Sequence, residues 1–381
     1  MIVRLAAAAV GLAGALATAA PAQAHGADAP DGTNYRTAVT ALTPAVDGLS
    51  VRTIEAGARL ELTNDTGRTI EVLGYAGEPY LEVRTDGVYE NVHSPATYRN
   101  RTLDGDTQPP PTADPALPPK WRKVGSEPVA RWHDRRTHWL EGEPPAEVRA
   151  DPGRPHRVRD WIVPLRDGPA TVQVRGSLEW LPPPDPYAWW AGIALGVLAV
   201  GALGLIPARR VAGGRALAGG QALAGGRALA GLGTVTAGGG LAAIAFAVAR
   251  QLDAGADGPA ALGLGLLTDG VWPVLIGIGA LAAAGYALTR RPAVDFAVTL
   301  AGTCLALFAG VPNAAVLARA VAPVPGPAVV ARLLVAAVIA TGLGAAAAGA
   351  LRMRAAARTT PVDHGVVVGD TPAESPANRA P

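Results

Sequence analysis

Hydrophobic positions divide this chain into two unlike halves. Residues 187–351 are long runs of Ala, Leu, Val and Gly, whereas residues 25–186 are polar, proline-rich and apolar only in short bursts. Five apolar stretches stand out in the second half, at about 189–207, 229–249, 271–288, 294–312 and 333–351. Each is near the roughly 20 residues that a helix needs to cross a hydrocarbon core. The pattern predicts an α-helical membrane bundle of about five spans, entered through the interfacial aromatics Tyr187, Trp189 and Trp190.

The first half alternates with a period of two. Leu60 and Leu62 are separated by Glu61, Ile70 and Val72 by Glu71, and Leu81 and Val83 by Glu82. In residues 171–180, Val172, Val174, Leu178 and Trp180 fall on one side of an extended chain, with Gln173, Arg175, Ser177 and Glu179 on the other. Asn64-Asp65-Thr66-Gly67 is a turn signal between two such runs. Short strands punctuated by turns predict an all-β sandwich, immunoglobulin- or cupredoxin-like, over residues 25–180. The prolines of residues 104–120 predict a surface loop, and those of 181–188 a stiff stalk to the membrane.

Residues 1–24 read as a secretory signal peptide, with Arg4, an apolar run over 5–19 and the small-residue site Ala22-Gln23-Ala24. Arg209, Arg210, Arg215 and Arg227 follow the first span, Arg290 and Arg291 the third, and Arg352, Arg354 and Arg358 the fifth. The positive-inside rule then predicts a multi-pass plasma-membrane protein with residues 25–188 extracytoplasmic. The tail at 352–381 is expected to be cytoplasmic and disordered.

Composition narrows the picture. The 381 residues carry a net charge of +2 and only 17% charged side chains, with no basic stripe, which argues against nucleic acid as a partner. Cys304 is the single cysteine, so no intramolecular disulfide and no cysteine-built metal motif is available. Asp269, Asp295 and Arg332 fall near predicted span ends, whereas a transporter is expected to bury ionisable groups mid-membrane. The Gly- and Ala-rich spans read as an anchor able to pack closely or self-associate. A six-residue repeat over 213–230 is too short for a solenoid unit. No nucleophile elbow, zinc-protease or phosphate-loop motif occurs, and the chain reads as non-enzymatic.

Candidate chemistry concentrates in Trp132-His133-Asp134-Arg135-Arg136-Thr137-His138-Trp139. If Asp134 to Thr137 form a hairpin loop, His133 and His138 face each other across two strands at a Cβ separation of about 5 Å. Signal cleavage would leave His25 as an N-terminal amine beside an imidazole. His25, His133 and His138 would then make a nitrogen-rich metal site suited to copper. The competing reading is a surface hairpin with a core-packed tryptophan pair and merely exposed histidines. His93 and His156 are weaker candidates, and His364 lies in the tail. Tyr75, Glu78, Tyr80, Tyr89, Glu90 and Tyr98 form an acidic and aromatic group suited to a recognition surface, or to the structural tyrosines of a sandwich.

The segment Leu62-Thr63-Asn64-Asp65-Thr66-Gly67, together with Gly74-Tyr75-Ala76-Gly77-Glu78-Pro79-Tyr80, Gly87-Val88-Tyr89-Glu90-Asn91 and residues 132–139, resembles a group of uncharacterised actinobacterial membrane proteins. That resemblance implies an exported β domain followed by several helices, and no activity. The N-terminal histidine alone is similar to copper-resistance proteins of the CopC type, whose remaining pattern is missing here. The expectation is a cell-envelope membrane protein that presents a β domain for binding, with an envelope protein or a second copy as partner. Copper handling and transport are the alternatives.

Overall fold

A computed structural model describes residues 32–206, 219–291 and 293–358. The signal segment, His25, the repeat before residue 219 and the tail with His364 lie outside the described residues. An all-β domain comes first and a helical bundle second.

The β domain contains β1 (Tyr35–Thr43), β2 (Leu49–Ile54), β3 (Arg59–Asn64), β4 (Ile70–Leu73) and β5 (Pro79–Arg84). It continues with β6 (Gly87–Asn91), β7 (Trp121–Gly125), β8 (Val129–Trp132), β9 (His156–Asp167) and β10 (Ala170–Trp180). One antiparallel sheet runs β1-β10-β9-β4-β5-β6-β7, and β2-β3-β8 form a second. The apolar positions of the alternation are buried as the sequence predicts, but Glu61 and Ser177, expected on the outer face, are buried too. Val172, Val174 and Leu178 point into a core shared with Leu60, Leu62, Ile70, Val72 and Leu165, while Trp180 is buried edge-on against Tyr35. β9 and β10 are joined through Gly168 and Pro169, with Gly168 at φ +58°, the positive angle that a tight two-residue hairpin requires. Leu60 pairs with Trp132 and Leu62 with Ala130, which places the 132–139 segment directly after β8 on the small sheet.

The bundle comprises α1 (Pro186–Ala202), α2 (Gly219–Asp253), α3 (Gly258–Thr268), α4 (Val271–Leu288), α5 (Val294–Cys304) and α6 (Ala328–Arg358). Among the described residues, five segments are long and apolar enough to cross a membrane: Pro186–Leu205, Gly225–Asp253, Val271–Leu288, Val294–Ala318 and Ala328–Arg358. Several boundaries differ from the sequence reading, among them the second span, which runs Gly225–Asp253, and the start of the fifth at Ala328. The first helix begins inside the expected stalk, because Asp185 caps the amide of Tyr187 at 2.9 Å and Pro186 fits the first turn. The fourth span continues past Pro312 by relaxing into a π-helical turn (Leu305–Gly310) and then a 3-10 segment (Val311–Ala318). The fifth helix extends into the expected tail as far as Arg358. An additional apolar helix, α3, is too short to span.

Glycine sets the helix spacing. A Cβ at Gly302 would lie 2.6 Å from Gly342 O, and one at Gly240 would lie 2.7 Å from Gly277 O. Two helix crossings therefore close to near backbone contact within one chain. Asp295 and Arg352, placed at span ends by the sequence, form an ion pair at 2.6 Å between α5 and α6, with Arg352 buried and Asp295 half-buried. Arg332 caps the carbonyls of Val316, Arg319 and Ala320.

The β domain rests directly on the bundle. Thr33 and Val321 exchange backbone hydrogen bonds of 3.0 and 2.8 Å, and Leu181 N donates to Asn34 O at 2.8 Å. The expected stalk is thus held against the domain at its first residue rather than acting as a spacer.

Candidate functional site

The 132–139 segment is a compact knot rather than a two-stranded hairpin. β8 ends at Trp132, Arg135–Thr137 form a single 3-10 turn, and no strand follows. Asp134 is the reason. Its fully buried carboxylate accepts from Arg136 N and Nε through Oδ1, and from Trp132 Nε1 and Arg136 Nη2 through Oδ2. A buried carboxylate is tolerated only when paired and saturated in this way. Trp132 and Trp139 do not pair; Trp139 stacks on Tyr35 with ring centroids 6.4 Å apart.

The turn nevertheless brings His133 and His138 together, on one acceptor. His133 Nδ1 lies 2.8 Å and His138 Nε2 3.0 Å from Ala58 O, so each ring donates to it. Arg59 Nε donates to His133 Nε2 at 3.1 Å, which makes that nitrogen an acceptor and the ring neutral. A metal on His133 would have to displace Arg59 from Nε2 and sit beside its guanidinium. Burial, reinforced by His133, pushes His138 down to about 4. Among the described residues, no three His, Cys, Asp or Glu side chains are grouped to hold a metal.

The acidic and aromatic group turns inward. Glu78 is buried, accepting from Ser94 Oγ at 2.6 Å and Ala76 N at 2.9 Å. Gly74 leaves the room for it, since a Cβ there would lie 2.0 Å from Glu78 Oε1. Tyr75 OH accepts from Arg135 N at 3.1 Å and donates to Asn100 Oδ1, linking three loops. Burial, with Asp134 nearby, pushes its phenol up to about 12. Tyr89 and Glu90 are engaged by Asp86 and Arg122. These residues build the domain more than they present a surface.

A second polar cluster joins the halves. Glu61, 2% exposed, accepts from Arg52 Nε at 2.5 Å and Arg131 Nε at 2.6 Å. Arg131 Nη2 also donates to Gly255 O at 2.6 Å, and Arg52 Nη2 reaches Asp257 at 3.1 Å. Beside them, Glu55 and Ala56 both sit at φ +56°, and Ala56 N donates to Asp253 Oδ2 at 2.7 Å. Two consecutive non-glycine residues in the left-handed region store strain, which tertiary contacts must hold. Burial raises Glu55 above the usual carboxylate range.

Several cavities adjoin this framework. A cleft of about 360 Å³ between the sheets is lined by Arg59, Asn100, Arg101, Arg131 and His133 over an apolar floor. An open pocket of about 520 Å³ carries Arg99, Arg135, Arg136 and Arg159. A smaller one of about 160 Å³, between the β domain and the bundle, includes Glu55, Asp253 and Asn313. Asn100 stands out, because it is 6% exposed and its Nδ2 has no acceptor in hydrogen-bond geometry. Leaving such a donor unsatisfied costs about 1–3 kcal/mol. Sequence reasoning passed over Arg59, Asn100, Arg101 and Ala58 O, since no spacing connects residues that only tertiary contact assembles.

No protein family, curated protein or solved structure matches this chain. Its reading therefore rests on its own residues.

Proposed function

We propose that this is an integral membrane protein of the cell envelope whose extracytoplasmic β domain binds a ligand or partner without transforming it. The observation that carries this reading is the junction at Ala56 and Asp253. Together with the Arg131–Gly255 and Thr33–Val321 bonds, it seats the β domain on the end of α2, the loop that follows and the segment before α6, so these share one membrane face. The arginines at 290, 291 and 352 sit at span ends that the positive-inside rule assigns to the cytoplasm. A domain so braced is a receptor-like platform, since a change at its surface reaches the helices without a flexible linker. The glycine crossings are already occupied within the chain, which favours a partner on the β domain over self-association through the spans.

Single-cysteine labelling tests the sidedness on which this rests. In a Cys304→Ser background, a membrane-impermeant maleimide applied to intact cells is expected to modify Ser126→Cys and to spare Thr289→Cys. Both positions are exposed in the structure. The reverse labelling would put the β domain in the cytoplasm and overturn the proposal.

A further inference from the structure

The 360 Å³ cleft opens where the two sheets part, between β7, the edge of the large sheet, and β8, the edge of the small one. Its floor is apolar, with Leu81, Val88 and Val124 among the lining. Its polar wall is cationic. Glu90 is the sole carboxylate in the lining, and Arg122 Nε holds it at 2.8 Å. Arg59 is tied to His133 and pairs with Glu55 at 3.4 Å, and Arg131 shares Glu61 with Arg52, so one carboxylate serves two guanidiniums there.

Two donors in this wall are unspent. Arg101 has no carboxylate partner among the described residues, and its guanidinium carbon lies 4.9 Å over the Tyr98 ring. Asn100 Nδ2 is buried and leans towards the Tyr80 phenol oxygen, without an acceptor in full hydrogen-bond geometry. Asn100 cannot rotate to relieve this cheaply, because its Oδ1 already accepts from Tyr75. A buried amide N–H beside an unpaired guanidinium is a donor set for an oxyanion.

The open pocket with four arginines is different. Arg136 gives its donors to Asp134 and Leu73 O, and Arg159 gives Nη2 to His138 O and Arg135 O. Much of the charge there is spent inside the fold.

We propose that the cleft between β7 and β8 binds a small organic anion. Its carboxylate or phosphate is taken by Asn100 Nδ2 and Arg101, and its apolar body lies against Leu81, Val88 and Val124. A cavity of this size suits a ligand of a few to about a dozen heavy atoms. The proposal rests on the β domain being a binding module and supplies the chemical class of its ligand.

The test is calorimetric titration of the full-length protein in nanodiscs. Hexanoate and hexyl phosphate are the probes, and inorganic phosphate, hexanol and hexylammonium the comparators. Saturable binding of hexanoate or hexyl phosphate is expected, and whichever binds tighter identifies the head group. Hexanol and hexylammonium are expected not to bind. Arg101→Gln and Asn100→Asp are each expected to weaken binding by roughly tenfold or more. The aspartate keeps the acceptor for Tyr75 while replacing the donor with a like charge. Arg101 is exposed, so its variant reports on binding even if Asn100→Asp fails to fold. Arg159→Gln is expected to leave affinity unchanged.

Absence of saturable binding by both organic anions would overturn the proposal. So would equal affinity in Arg101→Gln, or loss of binding in Arg159→Gln, which would move the anion to the other pocket. Inorganic phosphate binding as tightly as hexyl phosphate would remove the apolar body from the assignment and overturn it in that form. None of these results changes the maleimide labelling, so a failed cleft and a failed topology are told apart.

Discussion

His133 and His138 donate to the same atom, the carbonyl oxygen of Ala58, from 2.8 and 3.0 Å. One backbone acceptor thus pins both ends of the 132–139 turn to the start of β3. The imidazoles act as structural donors, and burial disfavours the charged form of His138. This arrangement makes the turn sensitive to acid.

His138 is held at about 4 by burial, against an ordinary value of 6.5. The unfolded chain therefore binds the extra proton first. Stability is expected to fall as pH drops from about 6.5 towards 4, by up to about 3 kcal/mol, and then to level off as the folded ring also titrates. Glu55 works in the opposite sense, because its raised carboxyl favours the folded state in acid. Melting curves of the wild type and His138→Gln across this window isolate the histidine. An acid loss of the same size in both would refute its role.

Copper is expected to bind no differently when His133 is replaced. Both ring nitrogens of His133 are engaged, one by Ala58 O and one by Arg59. Electron paramagnetic resonance of Cu(II) added to the protein should give the same spectrum for wild type and His133→Ala, while the variant melts lower. A change in the nitrogen hyperfine pattern on substitution would place His133 on the metal and revive a copper role.

Removing Asp253 should loosen the seat of the β domain. Its carboxylate is the acceptor for Ala56 N, the amide of a turn held at positive φ. A hydrogen bond to a charged group contributes about 1.5–3 kcal/mol. Asp253→Ala is expected to raise amide exchange in residues 52–58 while the β-sheet core stays protected. Ala56→Gly is expected to raise the melting temperature, since glycine adopts that φ without a Cβ clash. A lower melting temperature for Ala56→Gly would mean that the turn stores no strain.

The helix crossings predict a sharp contrast between two glycines. Gly302→Ala would press its methyl against Gly342 O, whereas a Cβ at Gly279 meets nothing within 4 Å. Thermal unfolding in detergent should show Gly302→Ala destabilised by about 1–3 kcal/mol and Gly279→Ala unchanged. Equal behaviour of the two would show that the α5–α6 crossing relaxes freely.

Hydropathy by itself determined much of the architecture. Strand positions such as 70–72 and 171–180, and the number of spans, follow from the period and length of apolar runs. Both are local properties, readable along the chain because burial on one face or in a membrane selects residue by residue. Span ends were less legible. Whether Pro312 stops a helix depends on whether neighbours can satisfy the freed carbonyls, and here a π-helical turn and Asn313 do so.

The site was decided by tertiary structure alone. The sequence placed His133 and His138 in one segment, but a carboxylate at Asp134 turned the chain into a knot and supplied Ala58 O as their common acceptor. Asn100 and Arg101 carry no signal along the chain, and only the folded cleft shows one amide without an acceptor in full hydrogen-bond geometry and one guanidinium without a counter-charge. Hydrogen-bond satisfaction is a property of three-dimensional neighbours, and no periodicity along a chain encodes it.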